Sequence, residues 1–227
     1  MFIVIEGLDG AGKSTQVKRI REELSRRGVE SEYLHFPRFD APVYGDLIAR
    51  FLRGDLGPVE AVNPYVVALL YAGDRKEASP FIENWLKEGK CVIADRYVYS
   101  NIAYQCAKVA DEENREKLRE WILSLEYGHN KIIKPDLTLF LNVPFGFTVK
   151  KLTEVREGED REYLCGKKDI HEASLSLQEK VRDVYLLQEE KDPDFRVVEC
   201  GGQNAEMLSA DEIFSRIYNE IWENRKF

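Results

Sequence analysis

The chain has 227 residues, of which 44% are hydrophobic and 33% charged, with a net charge of −8. This length suits one α/β domain, taken as 1–227, and no run approaches the roughly 18 apolar residues of a membrane span, which excludes a bilayer-crossing helix and any expected membrane partner. The acidic balance argues against a protein held by general attraction to a nucleic-acid backbone, so no nucleic-acid partner is expected.

The opening "MFIVIEG" has no basic leader and only a short apolar run, so "FIVIE" (2–6) is expected to be a first strand rather than a signal peptide. Next come Gly7, Leu8, Asp9, Gly10, Ala11, Gly12, Lys13 and Ser14, which satisfy G-x-x-x-x-G-K-[ST]. They stand between that strand and "STQVKRIREELSRRG", a predicted helix closed by Gly28, which is the context the motif requires. Glycines let the backbone curl so that N–H groups converge on phosphate oxygens, and the helix N-terminus adds positive potential. Lys13 is expected to reach the β- and γ-phosphates of ATP, with the Ser14 hydroxyl on Mg²⁺ and Thr15 nearby. The loop alone does not separate switches, motors and kinases.

A second strand is read over "SEYLHF" (31–36), then a helix "PVYGDLIARFLRG" opening at Pro42 and ending at Gly54. Its residues Val43, Leu47, Ile48, Phe51 and Leu52 fall on one face. A long helix is expected from about Pro64 to Glu88, irregular near Gly73 and Pro80. The third strand, "CVIAD" (91–95), ends in Asp95-Arg96. At the carboxyl edge of a parallel sheet, beside a phosphate cradle, Asp95 can hold Mg²⁺ through water and Arg96 can grip the phosphoryl oxygens of a second substrate. A purely structural ion pair is the alternative.

"DLTLFLNV" (136–143) and "FRVVEC" (195–200) complete the strands. Their alternation with helix-length segments predicts a three-layer α/β fold, with a mainly parallel five-stranded sheet and helices on both faces. Residues 154–171 carry alternating charges and no apolar periodicity, and are read as a mobile lid between two helices. Cys91, Cys106, Cys165 and Cys200 show neither zinc-ligand nor disulfide-framework spacing, so a reducing cytoplasm is expected.

A guanine-reading N-K-x-D is missing: the one Asn-Lys, in "NKIIKPD" (130–136), has Ile133 in fourth place. Nor does the third strand end in the Asp-Glu or Asp-x-x-Gly of a mechanochemical ATPase. Instead, "FPR" (36–38), "LLYAGDR" (69–75), "DRYVYSNIAYQ" (95–105) and "KPD" (134–136) resemble, in order, the motif set of the thymidylate kinases, P-loop nucleoside monophosphate kinases.

The resemblance implies transfer of the γ-phosphoryl group of ATP to dTMP, giving dTDP and ADP for dTTP synthesis, with Mg²⁺ as cofactor and a homodimer as the assembly. It implies that Arg96 and Arg38 hold the acceptor phosphate and that Asp9 contacts the deoxyribose 3′-hydroxyl. Arg75 falls on the thymine O4 edge, while Ser100 and Asn101 line the base pocket, Asn101 through N3. Tyr71 and Phe36 sandwich the ring, and Tyr104 closes where a ribose 2′-hydroxyl would sit. Gly10 stands where some members have an arginine, so with Lys13, Asp9 and Arg96 as catalytic residues a further cation is expected from the lid. Arg161, in a "DREY" similar to part of the family, is the first candidate, with Lys167 and Lys168 as rivals. Lys151 stands where some members stack an arginine on adenine, and His171 and Phe39 stand where tyrosine is frequent. A kinase of another deoxynucleoside or its monophosphate, and a nucleotide-binding module without transfer, remain as alternatives.

Overall fold

Along each strand, successive side chains point to opposite faces, and here both faces are apolar, so the sheet has to be covered on both sides. A computed structural model describes residues 1–59, 61–153, 159–167, 169–172 and 174–223, without the side chains of 153 and 159–161. Its strands are β1 (Phe2–Gly7), β2 (Ser31–His35), β3 (Cys91–Asp95), β4 (Leu137–Asn142) and β5 (Phe195–Glu199). They lie in the order β2-β3-β1-β4-β5, and every pairing is parallel rather than mainly so.

The helices are α1 (Lys13–Arg26), α2 (Tyr44–Leu52), α3 (Pro64–Lys87), α4 (Val98–Cys106), α5 (Glu112–Leu123), α6 (Phe145–Thr153), α7 (Leu175–Leu186) and α8 (Ala210–Tyr218). On β1, Phe2 and Val4 join a core with α2, α3, α4, α5 and α7, while Ile3 and Ile5 join a second core with α1 and α8. Each such fully buried aliphatic side chain contributes about 1.5–3 kcal/mol relative to exposure. The alternation of one strand therefore fixes which helices lie above and below it.

Two local expectations change. Helix α2 starts at Tyr44, and Val43 stays 56% exposed, whereas Ile48, Phe51 and Leu52 are buried. Helix α3 runs unbroken through Gly73 and Pro80. Asn63 caps it by accepting from the Tyr65 N–H at 2.9 Å, and Ala78, Ser79 and Ile82 hold the stretch around Pro80 in the core. Gly73 bends nothing; a Cβ there would fall 2.1 Å from the Tyr44 ring, so its bare backbone lets α2 approach α3.

The segment expected to be a mobile lid folds back on the domain where it is described. After a 3₁₀ turn at Glu159–Leu164, the residues Leu164, Asp169 and His171 are buried. The Tyr163 ring stacks on Phe39 at 3.7 Å, and the Ile170 N–H donates to the Leu52 carbonyl at 3.0 Å. Aromatic pairing, which charge patterning does not reveal, holds this stretch against the domain. All four cysteines are free, and no helix among the described residues is long and apolar enough to cross a membrane.

Candidate active site

A cavity of about 670 Å³ opens at the carboxyl ends of β1, β2 and β3. The chain leaves β1 for β2 on one side of the sheet and leaves β3 for β4 on the other, so its direction reverses between the neighbouring strands β1 and β3. Open α/β sheets form ligand crevices at such switch points. The glycine loop makes one wall, α3 and the start of α4 make another, and Tyr163, Asp169 and His171 close a third.

In the loop, Gly10 and Gly12 adopt left-handed φ angles of 79° and 81°, which glycine reaches without a steric penalty. Leu8 and Ala11 bury their side chains and anchor the turn, with the Ala11 N–H donating to the Leu8 carbonyl at 3.2 Å. Gly12 occupies the N-cap of α1 and offers no side-chain cap, so the amides of the first turn keep their anion-binding capacity. Lys13 is buried, with Nζ 3.4 Å from the Leu8 carbonyl and 3.8 Å from Asp95 Oδ1. Burial and the Arg96 charge lower its pKa, while Asp95 and Asp9 oppose that shift.

Asp95 is paired as the structural alternative allowed, to Lys13 and, through Oδ2, to His35 Nδ1 at 3.6 Å. Its buried Oδ1 nevertheless accepts no hydrogen bond and lines the same cavity as Ser14. Burial would raise this carboxyl, but Lys13 and His35 hold its pKa low. An ionised oxygen without a hydrogen-bond donor, beside a hydroxyl, suits Mg²⁺, which takes hard oxygen ligands and draws most of them from phosphate and water. Among the described residues, no group of three or more His, Cys, Asp or Glu side chains could hold a metal alone.

Besides Lys13–Asp95, the loop and the Asp95-Arg96 turn meet through Asp9. Arg96 Nη2 donates to Asp9 Oδ1 at 2.6 Å, and Asp9 Oδ2 accepts from the Tyr104 hydroxyl at 2.9 Å and from Gln178 Nε2 at 3.3 Å. Burial pushes the Asp9 carboxyl up, but the charges of Arg96 and Lys13 outweigh it and hold the pKa well below the carboxylate range. Arg96 lies 5.4 Å over the Tyr104 ring, and Tyr104 stacks on His171 at 4.8 Å. Burial keeps His171 neutral, and its Nε2 has no hydrogen-bond partner.

Deeper in, Arg75 is 1% exposed, donates Nε to Glu126 Oε1 at 3.0 Å and Nη1 to the Tyr97 carbonyl at 3.3 Å, and pairs Nη2 with the same carboxylate. Asn101 donates Nδ2 to the Ala68 carbonyl at 3.1 Å and leaves its buried Oδ1 without a partner. A guanidinium carries five N–H groups, so Arg75 keeps donors to spare while Asn101 presents an acceptor. Phe36, Tyr71, Ser100 and Tyr104 line the same cavity, although Phe36 is 1% exposed and packs tilted on Tyr97 at 5.6 Å.

Not every expected residue arrives here. Arg38 does not line the cavity; it is tied to α3 by Asp74 at 2.8 Å and Glu77 at 3.5 Å. Thr15 is exposed on α1 and also lies outside the lining. The Arg161 side chain, like Lys168, lies outside the described residues, and Lys167 pairs with Asp55 at 2.6 Å. Lys151 sits 5.8 Å over the Phe147 ring.

Sequence reading missed Glu126, Gln178 and Asp169. Glu126 is the fully buried acid of a π-helical turn, Ser124–His129, and the only hint was an acid inside the apolar run "WILSLEYG". Asp169 is pushed up to about 7 by burial and by the charge of Asp9, against hydrogen bonds from the Tyr163 hydroxyl and the His171 N–H.

The chain is similar to known proteins in both sequence and structure. The sequence profile of a family described as thymidylate kinase matches residues 5–206. A probable thymidylate kinase of Thermococcus kodakarensis is 36% identical over 203 residues, covering 87% of this chain and 88% of that protein. A thymidylate kinase of Mycobacterium tuberculosis is 32% identical over 185 residues, covering 82% and 84%. The solved structure of a thymidylate kinase from Candida albicans superposes with a TM-score of 0.74 at 31% identity, covering 98% of this chain and 91% of that one.

Proposed function

The chain belongs to the thymidylate kinase family, and from that membership we propose how its residues move the γ-phosphoryl group of ATP to dTMP, giving dTDP and ADP. The observation that carries the residue assignment is the Asp9–Arg96 pair, which joins the donor cradle to the acceptor turn. We treat residues 1–227 as one catalytic domain.

Phosphoryl transfer needs donor and acceptor oxygens held in line while spreading negative charge is neutralised. The loop amides and Lys13 take the β- and γ-phosphates. Arg96 spends one N–H each on Asp9 and Ser100, leaving further N–H groups for the acceptor phosphate. Ser14, and Asp95 through water, would hold Mg²⁺, which when bound offsets charge on the β- and γ-phosphates. Asp9 stays ionised across the working pH range and keeps Arg96 aimed between the two phosphates. Arg161 is assigned the role of lid cation. Arg38 braces α3 and reaches the phosphate only by leaving Asp74.

The polar pattern at the base end fits thymine. Arg75 donates toward O4, and the free Asn101 Oδ1 accepts from N3–H. Cytosine presents the opposite at both positions, an amine at C4 and a bare nitrogen at N3. Tyr104, held by Asp9, fills the space of a ribose 2′-hydroxyl.

A homodimer is proposed with α2 and α3 at its interface, because Val43, Val66 and Leu69 are 56%, 52% and 47% exposed there. Four free thiols support a reducing, cytoplasmic setting.

The test is ADP release with ATP, Mg²⁺ and dTMP, dUMP, dCMP or thymidine as acceptor. The highest kcat/KM is expected for dTMP. One missing methyl should lower dUMP by about 10–200-fold, with dCMP lower still. Faster turnover of thymidine than of dTMP would overturn the assignment.

A further inference from the structure

Glu6 stands next to last in β1 and is 0% exposed; of the side chains assigned to substrate binding it hydrogen-bonds Ser100, and its charge also acts on Lys13. Its Oε1 accepts the backbone N–H groups of Tyr97 at 2.9 Å and Ser100 at 3.1 Å. Its Oε2 accepts the hydroxyls of Ser100 at 2.5 Å and Tyr185 at 2.8 Å. Helix α4 begins after Tyr97 with no side-chain cap from its own N-cap residue, so a carboxylate from a distant strand satisfies its first amides.

The same carboxylate reaches the acceptor turn through one more atom. Ser100 Oγ accepts from Arg96 Nη1 at 3.1 Å, while Arg96 Nη2 donates to Asp9. A serine hydroxyl has one proton and two lone pairs, and an acceptor-only neighbour decides where the proton goes. Because Glu6 draws the Ser100 proton to Oε2, the serine oxygen faces Arg96 as an acceptor. The Ser100 and Tyr185 hydroxyls are 2.8 Å apart, so both can turn their protons on the same carboxylate oxygen. Arg96 itself has a φ of 69°, a left-handed backbone that a non-glycine residue holds only when its surroundings fix it.

We propose that Glu6 is a positioning residue for the acceptor phosphate: it sets the hydrogen-bond direction of Ser100, and Ser100 sets the aim of Arg96. This rests on the assignment of Arg96 to the acceptor phosphate made above. Glu6 itself touches no reacting atom.

Glu6→Gln is the discriminating variant. Its oxygen can still accept the two backbone N–H groups, but its Nε2 now donates to the Ser100 and Tyr185 oxygens, so one serine lone pair is taken and the serine proton, having lost its carboxylate acceptor, competes for the direction that faced Arg96. Initial rates of ADP release should give a KM for dTMP about 10–100-fold higher, the range of one hydrogen bond to a charged group, with the KM for ATP changed less than about twofold. A cycle with Ser100→Ala adds a readout that a merely structural role would not move. Once Ser100 has lost its hydroxyl, adding Glu6→Gln should raise the dTMP KM no further.

Equal rises in both KM values, an unchanged dTMP KM, or multiplicative effects in the cycle would overturn the relay. Should Glu6→Gln fail to give a cooperative thermal melt, Glu6→Asp decides, since it stays acceptor-only with a shorter reach: a rise in the dTMP KM alone supports the relay, and wild-type values or matched rises overturn it. Wild-type enzyme assayed alongside separates the two layers. A wild type inert toward dTMP overturns the reaction assignment and the relay with it, whereas an active wild type with an unaltered variant overturns the relay alone.

Discussion

In the proposed reading, the glycine loop and the pyrimidine end of the cavity bind by different means. The loop is a contiguous stretch whose proposed binding atoms are mainly backbone amides, shaped by two left-handed glycines and anchored by the buried Leu8 and Ala11. The pyrimidine end gathers side chains from α3 and α4 and orients them with acids from elsewhere, Glu126 behind Arg75 and Glu6 behind Ser100 and Arg96. A backbone site tolerates loss of a side chain but not of a glycine. A side-chain site depends on partners that never touch the ligand, because an unpaired buried guanidinium or carboxylate costs several kcal/mol.

The largest expected effect breaks the first half of this contrast. Lys13→Met should lower kcat by about 10³-fold, the scale of removing one transition-state donor, while the KM for ATP stays within about tenfold because the amides remain. A collapse of ATP binding with little change in kcat would mean that the side chain, not the backbone, holds the donor.

The next sharpens the second half. Arg75→Lys keeps a cation for Glu126 but loses the fixed fork. It should raise the KM for dTMP by about 10–100-fold and leave the KM for ATP alone. Matched changes in both would dissolve the division between the two regions.

The smallest expected effect concerns the wall between them. Burial lifts Asp169 to about 7, so the folded chain keeps this proton to about neutral pH, whereas the unfolded chain releases it near pH 4. With more protons bound in the folded state, stability from this group is full below about pH 4 and is lost as pH rises toward 7. Asp169→Asn stays neutral throughout and can keep the hydrogen bonds to the Tyr163 hydroxyl and the His171 N–H. Its Tm advantage over wild type should therefore grow between pH 4.5 and 7.5 by roughly 6–12 °C, about 3 kcal/mol at the usual 2–4 °C per kcal/mol, and then level off. An advantage that is flat or shrinks with pH would show that Asp169 titrates as an ordinary exposed acid.

The same contrast explains what the sequence disclosed. The five strands were legible because each is a short apolar run, and the loop because its spacing is local: phosphate binding by amides needs residues adjacent in the chain. Arg96 was legible from its place at the end of the third strand, whereas Arg75 and Asn101 were found only through the motif resemblance. Their supporting acids were not, since Glu126 lies in an irregular turn and Glu6 looked like one more residue of a strand. Charge alternation over 154–171 suggested a mobile excursion but not what it packs against: Tyr163, Asp169 and His171 close on Phe39 and Tyr104 through pairings distant in sequence.

The central claim, that two nucleotides meet end to end across the Asp9–Arg96 contact, is tested most directly by a single turnover with ATP labelled in its γ-phosphate, Mg²⁺ and dTMP, with products separated by chromatography. The label should appear in dTDP in step with ADP, with little in inorganic phosphate. Label released as phosphate, or retained in ATP while dTMP is bound, would contradict the account.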